Sequence, residues 1–355
     1  MRILSVPESR HLYLRRLTEN LTRRGLRVSE APFPYLRWPG NLVRFAGRVL
    51  EGPDLCHLHW TVFDVALAAK VFFALRVPKV WTVHNIVPHA PVFRDDLAMT
   101  HFYLDHVDVA VWHSQRNLEE ARRRFADRGL RTTWHAEDRI IPCMSFNGAW
   151  PDTATDEEAR RRVGVDGVGF VVGHFAPTLP YKGTRLFLDA MSRMSEVDVA
   201  FCIFGECHDP QLAREIESAA RSRPDLKVRL GPLRDDELQY WFKACNVLVQ
   251  PYTDVTTSGS IGFAIAFRRP VIAPPRGNIP DVIEPGVTGW LARSPEEIVA
   301  CIEEAMEDPT RTAAMGVRAH EAIDRVANVE TVVDAYTAAY AAAADHGRGV
   351  PRGKP

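Results

Sequence analysis

Short apolar, β-branched runs alternate along this chain with longer segments in which apolar residues recur at helical spacing. In the amino-terminal half, the apolar runs lie at residues 2–6, 55–58, 80–83 and 107–112. The alternation resumes at residue 170 and continues to residue 273. This pattern is typical of parallel sheets with helices on both faces. We therefore predict an α/β chain with two doubly wound, Rossmann-like domains in tandem.

The boundary between the two domains is predicted where periodicity is lost. Residues 145–156 show little periodicity and lie among prolines, which interrupt regular elements. The tail, HGRGVPRGKP, has the Gly, Pro and basic composition of disordered segments. The predicted segments are a first domain at 1–145, a linker at 146–157, a second domain at 158–325, a C-terminal helix at 326–344 able to return to the first domain, and a disordered tail at 345–355.

Composition and charge narrow the classes of function. The chain has 355 residues, of which 46% are hydrophobic and 25% are charged, as in ordinary globular proteins. Its 44 basic and 45 acidic residues give a net charge of −1. A protein that wraps nucleic acid needs a general positive field, so we expect no nucleic-acid partner.

The apolar segments also argue against membrane insertion. The longest, residues 60–81, is interrupted by Asp64, Lys70 and Arg76, and the apolar start of the chain is too short for a signal-peptide core. The six cysteines include no C-x-x-C pair and lie in or beside apolar runs, as reduced buried cysteines do. We therefore expect a cytoplasmic protein without a membrane span.

Two segments after predicted strands have the residues of a phosphate site. A strand ends at Gln250, and a helix is predicted to start near Ser258, Gly259 and Ser260. The amides of a helix start, with the helix dipole behind them, bind phosphate. Lys182 opens another helix after a strand and can add a point charge. The alternatives are a serine N-cap on a packing helix and a solvated surface lysine.

Five segments in order then resemble the donor domain of GT-B fold glycosyltransferases, particularly the large retaining group 4 family. These segments are residues 173–183, 201–209, 228–252, 256–274 and 277–291. In the first half, residues 7–25, HLHW at 57–60 and TVHN at 82–85 resemble the acceptor domain of bacterial exopolysaccharide-type members. The resemblance implies that two domains facing a cleft transfer a sugar from a nucleotide-diphosphate donor to a hydroxyl of a saccharide, lipid-linked glycan or small natural product.

The resemblance also implies roles for individual residues. Lys182 and His84 would be catalytic, with His84 near the sugar or the acceptor. The donor diphosphate would be held by Lys182 and the helix start, and the base would lie near Pro232 and Leu233. The implied donor-binding set is Lys182, Glu206, Pro232, Leu233, Thr257, Ser258, Gly259 and Ser260. Transfer is expected to be retaining, with no metal and no cofactor besides the donor substrate.

One departure from the family pattern leaves alternatives open. Family members often have two glutamates eight positions apart, where this chain has Val255 and Phe263. The chain instead fits a P-Y-x-x-x-x-x-S-G loop through Pro251, Tyr252 and Ser258. A catalytically silent partner of another transferase, which binds the sugar nucleotide without turnover, is therefore an alternative. A sugar-nucleotide epimerase on the same scaffold is another, although no convincing carboxylate pair is present.

Histidines are concentrated between residues 57 and 113. His57 and His59 alternate on one predicted strand and therefore share a face, but no clear third ligand accompanies them, so no metal site is predicted. His84 ends a central strand and is the catalytic candidate; the alternative is a core histidine satisfied by the backbone. If transfer inverted configuration, His84 or Glu8 would be the candidate base.

A basic, aromatic segment follows the arginine-rich first helix. It contains Arg37, Trp38, Arg44, Phe45 and Arg48. In relatives that act on lipid-linked sugars, such a surface docks to anionic bilayers, which makes peripheral membrane contact a hypothesis for this chain. The interpretation that ordinary amphipathicity favours is a solvated helix face with its leucines in the core.

Overall fold

The computed structural model describes residues 1–8, 11–35, 37–194 and 198–349, the last three of these without side chains. The chain forms two compact units. Unit 1 consists of Met1–Met144 together with the described residues from Ala327 onward, and unit 2 is Ser145–Val326. Across the described ranges, no helix is long and apolar enough to cross a bilayer.

Unit 1 is built on a parallel six-stranded sheet with the order β2-β1-β3-β4-β5-β6. Its strands are β1 (Arg2–Val6), β2 (Arg27–Glu30), β3 (Leu55–His59), β4 (Lys79–Val83), β5 (Val109–Trp112) and β6 (Glu137–Ile140). Its first helices are α1 (Leu12–Arg23), α2 (Pro39–Leu50), α3 (Ala66–Phe73), α4 (Asp96–His106) and α5 (Gln115–Asp127).

Unit 2 repeats this architecture with the strand order β12-β11-β10-β7-β8-β9, again all parallel. Its strands are β7 (Phe170–Phe175), β8 (Val199–Gly205), β9 (Leu226–Leu230), β10 (Val247–Val249), β11 (Val271–Ala273) and β12 (Gly289–Leu291). Its helices are α6 (Asp156–Val163), α7 (Thr184–Ser192), α8 (Pro210–Ser222), α9 (Leu238–Ala244), α10 (Gly259–Ala266), α11 (Ile279–Val282), α12 (Pro295–Glu307) and α13 (Pro309–Ala327), with a 3-10 turn at Pro180–Lys182.

The central strands of both sheets are buried, as expected when helices cover both faces. All residues of β3, β4, β5, β7 and β8 are buried. Helices that cover both faces of a parallel sheet bury its central strands in this way, and such strands are mostly apolar. Side-chain caps then start the covering helices; for example, Ser114 accepts from the amide of Asn117 at the start of α5. The predicted pair of doubly wound α/β units is confirmed.

The last helix, α14 (Val329–Gly349), packs in unit 1 through buried tyrosines. The Tyr336 hydroxyl lies 2.6 Å from the Tyr13 hydroxyl and 3.0 Å from Thr82 Oγ1. The Tyr340 hydroxyl lies 2.8 Å from Nδ1 of His57. These hydrogen bonds attach the helix to α1, β3 and β4.

The structure differs from the sequence prediction in two segments, the linker and the tail. Residues 345–349, predicted as part of the disordered tail, continue α14 as helix in the structure; residues 350–355 lie outside the described residues. The segment predicted as a linker belongs to unit 2, since Phe146 and Trp150 are buried and pack on Phe263. The helix α6 already begins at Asp156, after an N-cap at Thr155.

Candidate active site

Two loops come together at the carboxyl edge of the sheet in unit 2. Residues 176–183 follow β7, and residues 250–258 follow its neighbour β10. The amide of Thr253 donates to the carbonyl of Tyr181 over 2.9 Å. Gly183 has φ +73°, and a Cβ at this position would lie 1.8 Å from the carbonyl oxygen of Pro251. Glycine therefore permits the close approach of the two loops.

The ammonium group of Lys182 is held against the second loop. Its Nζ donates to Ser260 Oγ over 2.9 Å. It also lies 5.0 Å from the ring centroid of Tyr252 and 5.5 Å from that of Tyr181, within the range of cation–π attraction. The side chain is thus positioned beside the first turn of α10, and it is not a lysine that simply extends into solvent.

The first turn of α10 is capped by Ser258. Its Oγ accepts from the amide of Ile261 at 3.3 Å and lies 2.6 Å from the hydroxyl of Tyr252. The first amides of a helix have no intrahelical acceptor and carry the positive end of the helix dipole. A Cβ built on Gly259 would meet no atom within 4 Å, so that side of the turn is open. Together with the ammonium, this turn is suited to binding an anion such as a diphosphate.

The remaining predicted donor-binding residues lie on nearby loops. Thr257 is half-buried immediately before the Ser258 cap. Glu206 follows β8, is exposed, and lies 3.3 Å from Nε2 of His208. Pro232 is exposed and Leu233 half-buried in the loop after β9. The amide of Gly231 donates to the carbonyl of Gly205 over 3.0 Å, and that of His208 to Thr178 over 3.1 Å, so these loops are linked to the Lys182 loop.

His174 supports the Lys182 loop, a role that sequence reasoning missed. Its Nδ1–H donates to the carbonyl of Val249 over 2.9 Å, and its Nε2 accepts from the hydroxyl of Thr184 over 2.9 Å. Burial lowers the pKa of His174 from 6.5 to about 4, so the ring is neutral at pH 7. The ring joins the end of β10 to the start of α7, two residues after Lys182. A polar residue inside an otherwise apolar strand was the available signal.

Apolar side chains, Val255 and Phe263, occupy the two positions where glycosyltransferases of the resembled family often have glutamates. Val255 is buried, and the Phe263 ring packs 4.3 Å from Trp150 and 5.0 Å from Phe175, measured between centroids. An aromatic cluster therefore occupies the second position.

In unit 1, His84 lies at the carboxyl end of β4 within a group of rings. It is 8% exposed, and the Trp60 ring stacks on it with centroids 4.4 Å apart. Trp60 adopts φ +58°, an uncommon conformation for a residue other than glycine. The Tyr13 ring meets His84 edge-on at 5.2 Å. The imidazole is thus fixed in orientation.

Both nitrogens of His84 have histidine partners. Its Nδ1 lies 3.1 Å from Nε2 of His113, and its Nε2 lies 3.2 Å from Nδ1 of His59. Burial is the largest cause that lowers the pKa of each of these three histidines, to about 4 for His113 and well below 6.5 for the other two. All three rings are therefore neutral at pH 7, with one donor and one acceptor nitrogen each.

A backbone carbonyl sets the direction of this chain of hydrogen bonds. Nδ1 of His113 lies 3.0 Å from the carbonyl of Ile141, which can only accept. His113 therefore accepts at Nε2 from His84, and His84 in turn accepts at Nε2 from His59. The lone pair that remains is on Nε2 of His59, which is buried and has no hydrogen-bond partner among the described residues. In this tautomer His84 has no free lone pair for a proton.

The other candidates at this edge are arranged differently. His57 lies 2.8 Å from Thr82 Oγ1 through Nε2, so its nitrogens bind hydroxyl groups. Glu8, which follows β1, has a 39% exposed side chain and forms a 2.7 Å ion pair with Arg44. Of the two predicted base candidates, His84 and Glu8, the carboxylate of Glu8 is thus the more accessible group.

Comparisons with known proteins find similarity to glycosyltransferases. Residues 167–308 match the model of the family Glycosyl transferases group 1. The chain is 25% identical over 283 residues to a GDP-mannose:glycolipid 4-beta-D-mannosyltransferase of Xanthomonas campestris pv. campestris, covering 76% of this chain and 74% of that protein. Residues 167–308, most of unit 2, therefore match the group 1 glycosyl transferase family. The chain is also 23% identical over 316 residues to a D-inositol 3-phosphate glycosyltransferase of Corynebacterium glutamicum, covering 84% and 74%.

Solved structures agree on the fold of this chain. Anabaena HepE in complex with UDP superposes with a TM-score of 0.75 at 18% identity, covering 96% of this chain and 100% of that one. Sucrose-phosphate synthase from Thermosynechococcus elongatus also gives a TM-score of 0.75 at 18% identity, covering 96% and 98%. The predicted GT-B fold is confirmed.

Proposed function

We propose that this glycosyltransferase binds a nucleotide-diphosphate sugar in unit 2 and transfers the sugar to a hydroxyl of a lipid-linked glycan or saccharide. The observation that carries the proposal is the 2.9 Å contact of the Lys182 ammonium with Ser260, beside the first turn of α10. Ammonium and amide dipoles at one turn match the two charges of a diphosphate.

The same groups supply the catalysis that we propose. When the bond from the anomeric carbon to the diphosphate oxygen breaks, negative charge grows on the leaving diphosphate. A preorganised ammonium and helix start stabilise that charge more than they stabilise the bound donor, and this difference lowers the barrier. The two groups would take the place of a cation, so transfer needs no metal.

We propose that configuration is retained and that the leaving phosphate accepts the proton of the acceptor hydroxyl. The engaged nitrogens of His84 support this course, because no lone pair is free there to act as base. His84 would instead position the acceptor through its fixed ring. If the product is inverted, Glu8 becomes the candidate base.

The relatives support a lipid-linked acceptor and a nucleotide donor. The Xanthomonas relative is named for GDP-mannose and a glycolipid, and related structures contain UDP or UDP-glucose. We therefore propose GDP- and UDP-sugars as the donors to test first and a glycolipid as the acceptor class.

Peripheral membrane docking belongs to the same proposal. The helices α2 and α3 are neighbours, since Phe45 packs on Phe72 with ring centroids 5.4 Å apart. Their outer faces expose large apolar side chains, at Val43 (72%), Leu50 (85%), Leu67 (70%) and Val71 (61%). By contrast, Leu14, Leu17 and Leu21 of α1 are buried, so that helix has an ordinary core-facing side.

Charge supports a lipid surface as the occupant of this face. Exposed basic side chains accompany the apolar ones, at Arg37, Arg44, Arg48, Lys70 and Arg76. Two of them form ion pairs, Arg44 with Glu8 and Arg48 with Glu51. Apolar insertion combined with basic residues is the chemistry that binds anionic bilayers.

Calorimetry followed by product analysis tests the enzymatic proposal. The protein is titrated with GDP, UDP, GDP-mannose and UDP-glucose, and free nucleoside diphosphate is then measured with and without a glycolipid extract. Release that depends on the extract supports transfer. Binding without release would support the silent partner, and an altered sugar nucleotide formed without acceptor would support the epimerase.

A further inference from the structure

We propose that Asp108, His135 and His346 form a zinc site that fastens the end of α14 to the sheet of unit 1. One ligand atom from each residue can be chosen so that all three lie within 4.8 Å of one another. Two imidazoles and one carboxylate are a common zinc donor set, whereas Mg²⁺ and Ca²⁺ prefer oxygen ligands throughout.

The carboxylate is preorganised by the sheet. Asp108 precedes β5 and is 2% exposed. Its Oδ2 accepts from the amide of Lys79 over 2.8 Å, and its backbone carbonyl accepts from the amide of Glu137 over 2.9 Å. Such an outer shell of hydrogen bonds orients a metal ligand.

The two histidines come from separate segments. His346 lies on the last turns of α14, and its ring stacks on that of His135 with centroids 5.8 Å apart. Nδ1 of His346 is shielded from solvent and has no hydrogen-bond partner among the described residues. A buried nitrogen of this kind is costly unless it is paired, and a zinc ion would pair it.

Access and geometry allow an ion to bind. His135 is exposed and also lines a surface groove of ≈ 620 Å³, through which an ion could enter. Tetrahedral zinc places its ligand atoms about 3.3 Å apart, so the donors must move closer. The exposed His135 and the half-buried His346 side chains can make that movement, and water would complete the coordination.

The site is separate from the proposed transfer chemistry. Asp108 and His135 precede β5 and β6, at the amino edge of the sheet, whereas His84 follows β4 at the carboxyl edge. The zinc site would therefore act on the stability of α14. The inference does not rest on the proposed function.

Metal binding and amide exchange test the inference. The full chain, without an affinity tag and stripped of metal, is titrated with Zn²⁺ alone by calorimetry, and hydrogen exchange of residues 340–349 is measured with and without Zn²⁺. We expect one ion per chain and slower exchange at the end of α14. His346→Ala and the exposed His135→Ala should each weaken binding by at least about tenfold.

The control is His89→Ala, which removes another exposed histidine of unit 1 and should bind Zn²⁺ like the unaltered chain. Absence of stoichiometric binding would overturn the site. So would equal affinity in the His346, His135 and His89 variants, or binding that leaves the exchange of α14 unchanged. These readouts do not involve sugar transfer, so they remain decisive if the transfer proposal fails.

Discussion

Lys182 and Ser260 are 78 positions apart in the sequence, yet the lysine Nζ donates to the serine Oγ over 2.9 Å. The contact exists because β7 and β10 are neighbours in the sheet, and the loops that follow them therefore emerge side by side. Gly183 then removes the side chain that would keep them apart. The fold therefore holds the ammonium in one place, which is the preorganisation that the proposed charge stabilisation requires.

The Lys182→Ala variant should lose turnover and keep its fold. Removal of one preorganised charge stabiliser costs about 100- to 1,000-fold in kcat. Initial rates at saturating donor measure this loss. The control is Lys227→Ala, because the Lys227 ammonium donates to the backbone carbonyl of Pro224 and should be dispensable. A Lys182 variant with an unaltered rate would show that the diphosphate binds elsewhere.

The His84→Ala variant should separate donor binding from transfer. Because we assign the donor to unit 2 and the acceptor to unit 1, nucleotide affinity should stay nearly constant while the transfer rate falls about 100-fold, the order of loss that misplacing a reactant causes. Calorimetry and initial rates on one preparation measure both quantities.

The control for His84 is Tyr336→Phe, which removes buried hydrogen bonds to Tyr13 and Thr82 in the same unit. Both variants should lower the free energy of unfolding, by about 1 to 3 kcal/mol for each lost buried partner. Only the His84 variant should transfer slowly per folded molecule. Equal rates in the two variants would assign His84 a structural role alone.

Stability should fall as the pH drops below 6.5. Burial lowers the pKa of His57 to about 3 and that of His113 and His174 to about 4. The unfolded chain therefore binds more protons than the folded chain between the two pKa values. The contribution of these neutral histidines to the free energy of unfolding is therefore complete above pH 6.5. It is lost as the pH falls towards 4, at about 1.4 kcal/mol per pH unit for each histidine.

Urea unfolding at pH 7.5, 6 and 5 measures this dependence. His174→Gln keeps a hydrogen-bonding side chain but removes one titrating group, so its stability should decline less steeply than that of the unaltered chain. Parallel declines in the two proteins would argue that His174 is not held neutral by burial.

Transfer should persist in excess chelator. We assign the charge-stabilising role to Lys182 and the first turn of α10, so EDTA should leave the initial rate unchanged. The proposed zinc site predicts a lower melting temperature in EDTA for protein loaded with Zn²⁺, which a separate melting curve would detect. A rate lost in EDTA and restored by Mg²⁺ or Mn²⁺ would contradict the metal-independent mechanism.

The Leu67→Asn, Val71→Asn double variant should bind anionic vesicles more weakly. Each side chain loses the apolar transfer energy of an exposed residue that would enter the bilayer, about 2 kcal/mol for a fully buried leucine. Co-sedimentation with vesicles containing phosphatidylserine measures binding, and vesicles of phosphatidylcholine test the charge dependence. The control is Val326→Asn, which alters a 58% exposed residue of unit 2. Equal losses in both proteins would remove α3 from the docking surface.

The local elements could be predicted from the amino-acid sequence, and so could the resemblance to glycosyltransferases. Apolar runs that alternate with helical segments predict βα units because parallel strands covered on both faces are mostly apolar. The resemblance to glycosyltransferases could be read from the segments around Lys182 and Ser258, because the residues of each loop are consecutive in the sequence. Residues 345–349 differ from the local prediction: their Gly and basic composition favours disorder, whereas the structure continues α14 through Gly349.

Contacts between residues that are distant in the sequence could be identified only from the tertiary structure. No pattern along the chain predicts that His84 has His59 and His113 on its two nitrogens, or that the Ile141 carbonyl sets the direction of their hydrogen bonds. Likewise, His346 and Asp108 come together only when α14 packs on unit 1. Strand order and helix packing determine these contacts, because hydrogen bonds and metal coordination depend on distances that sequence spacing does not set.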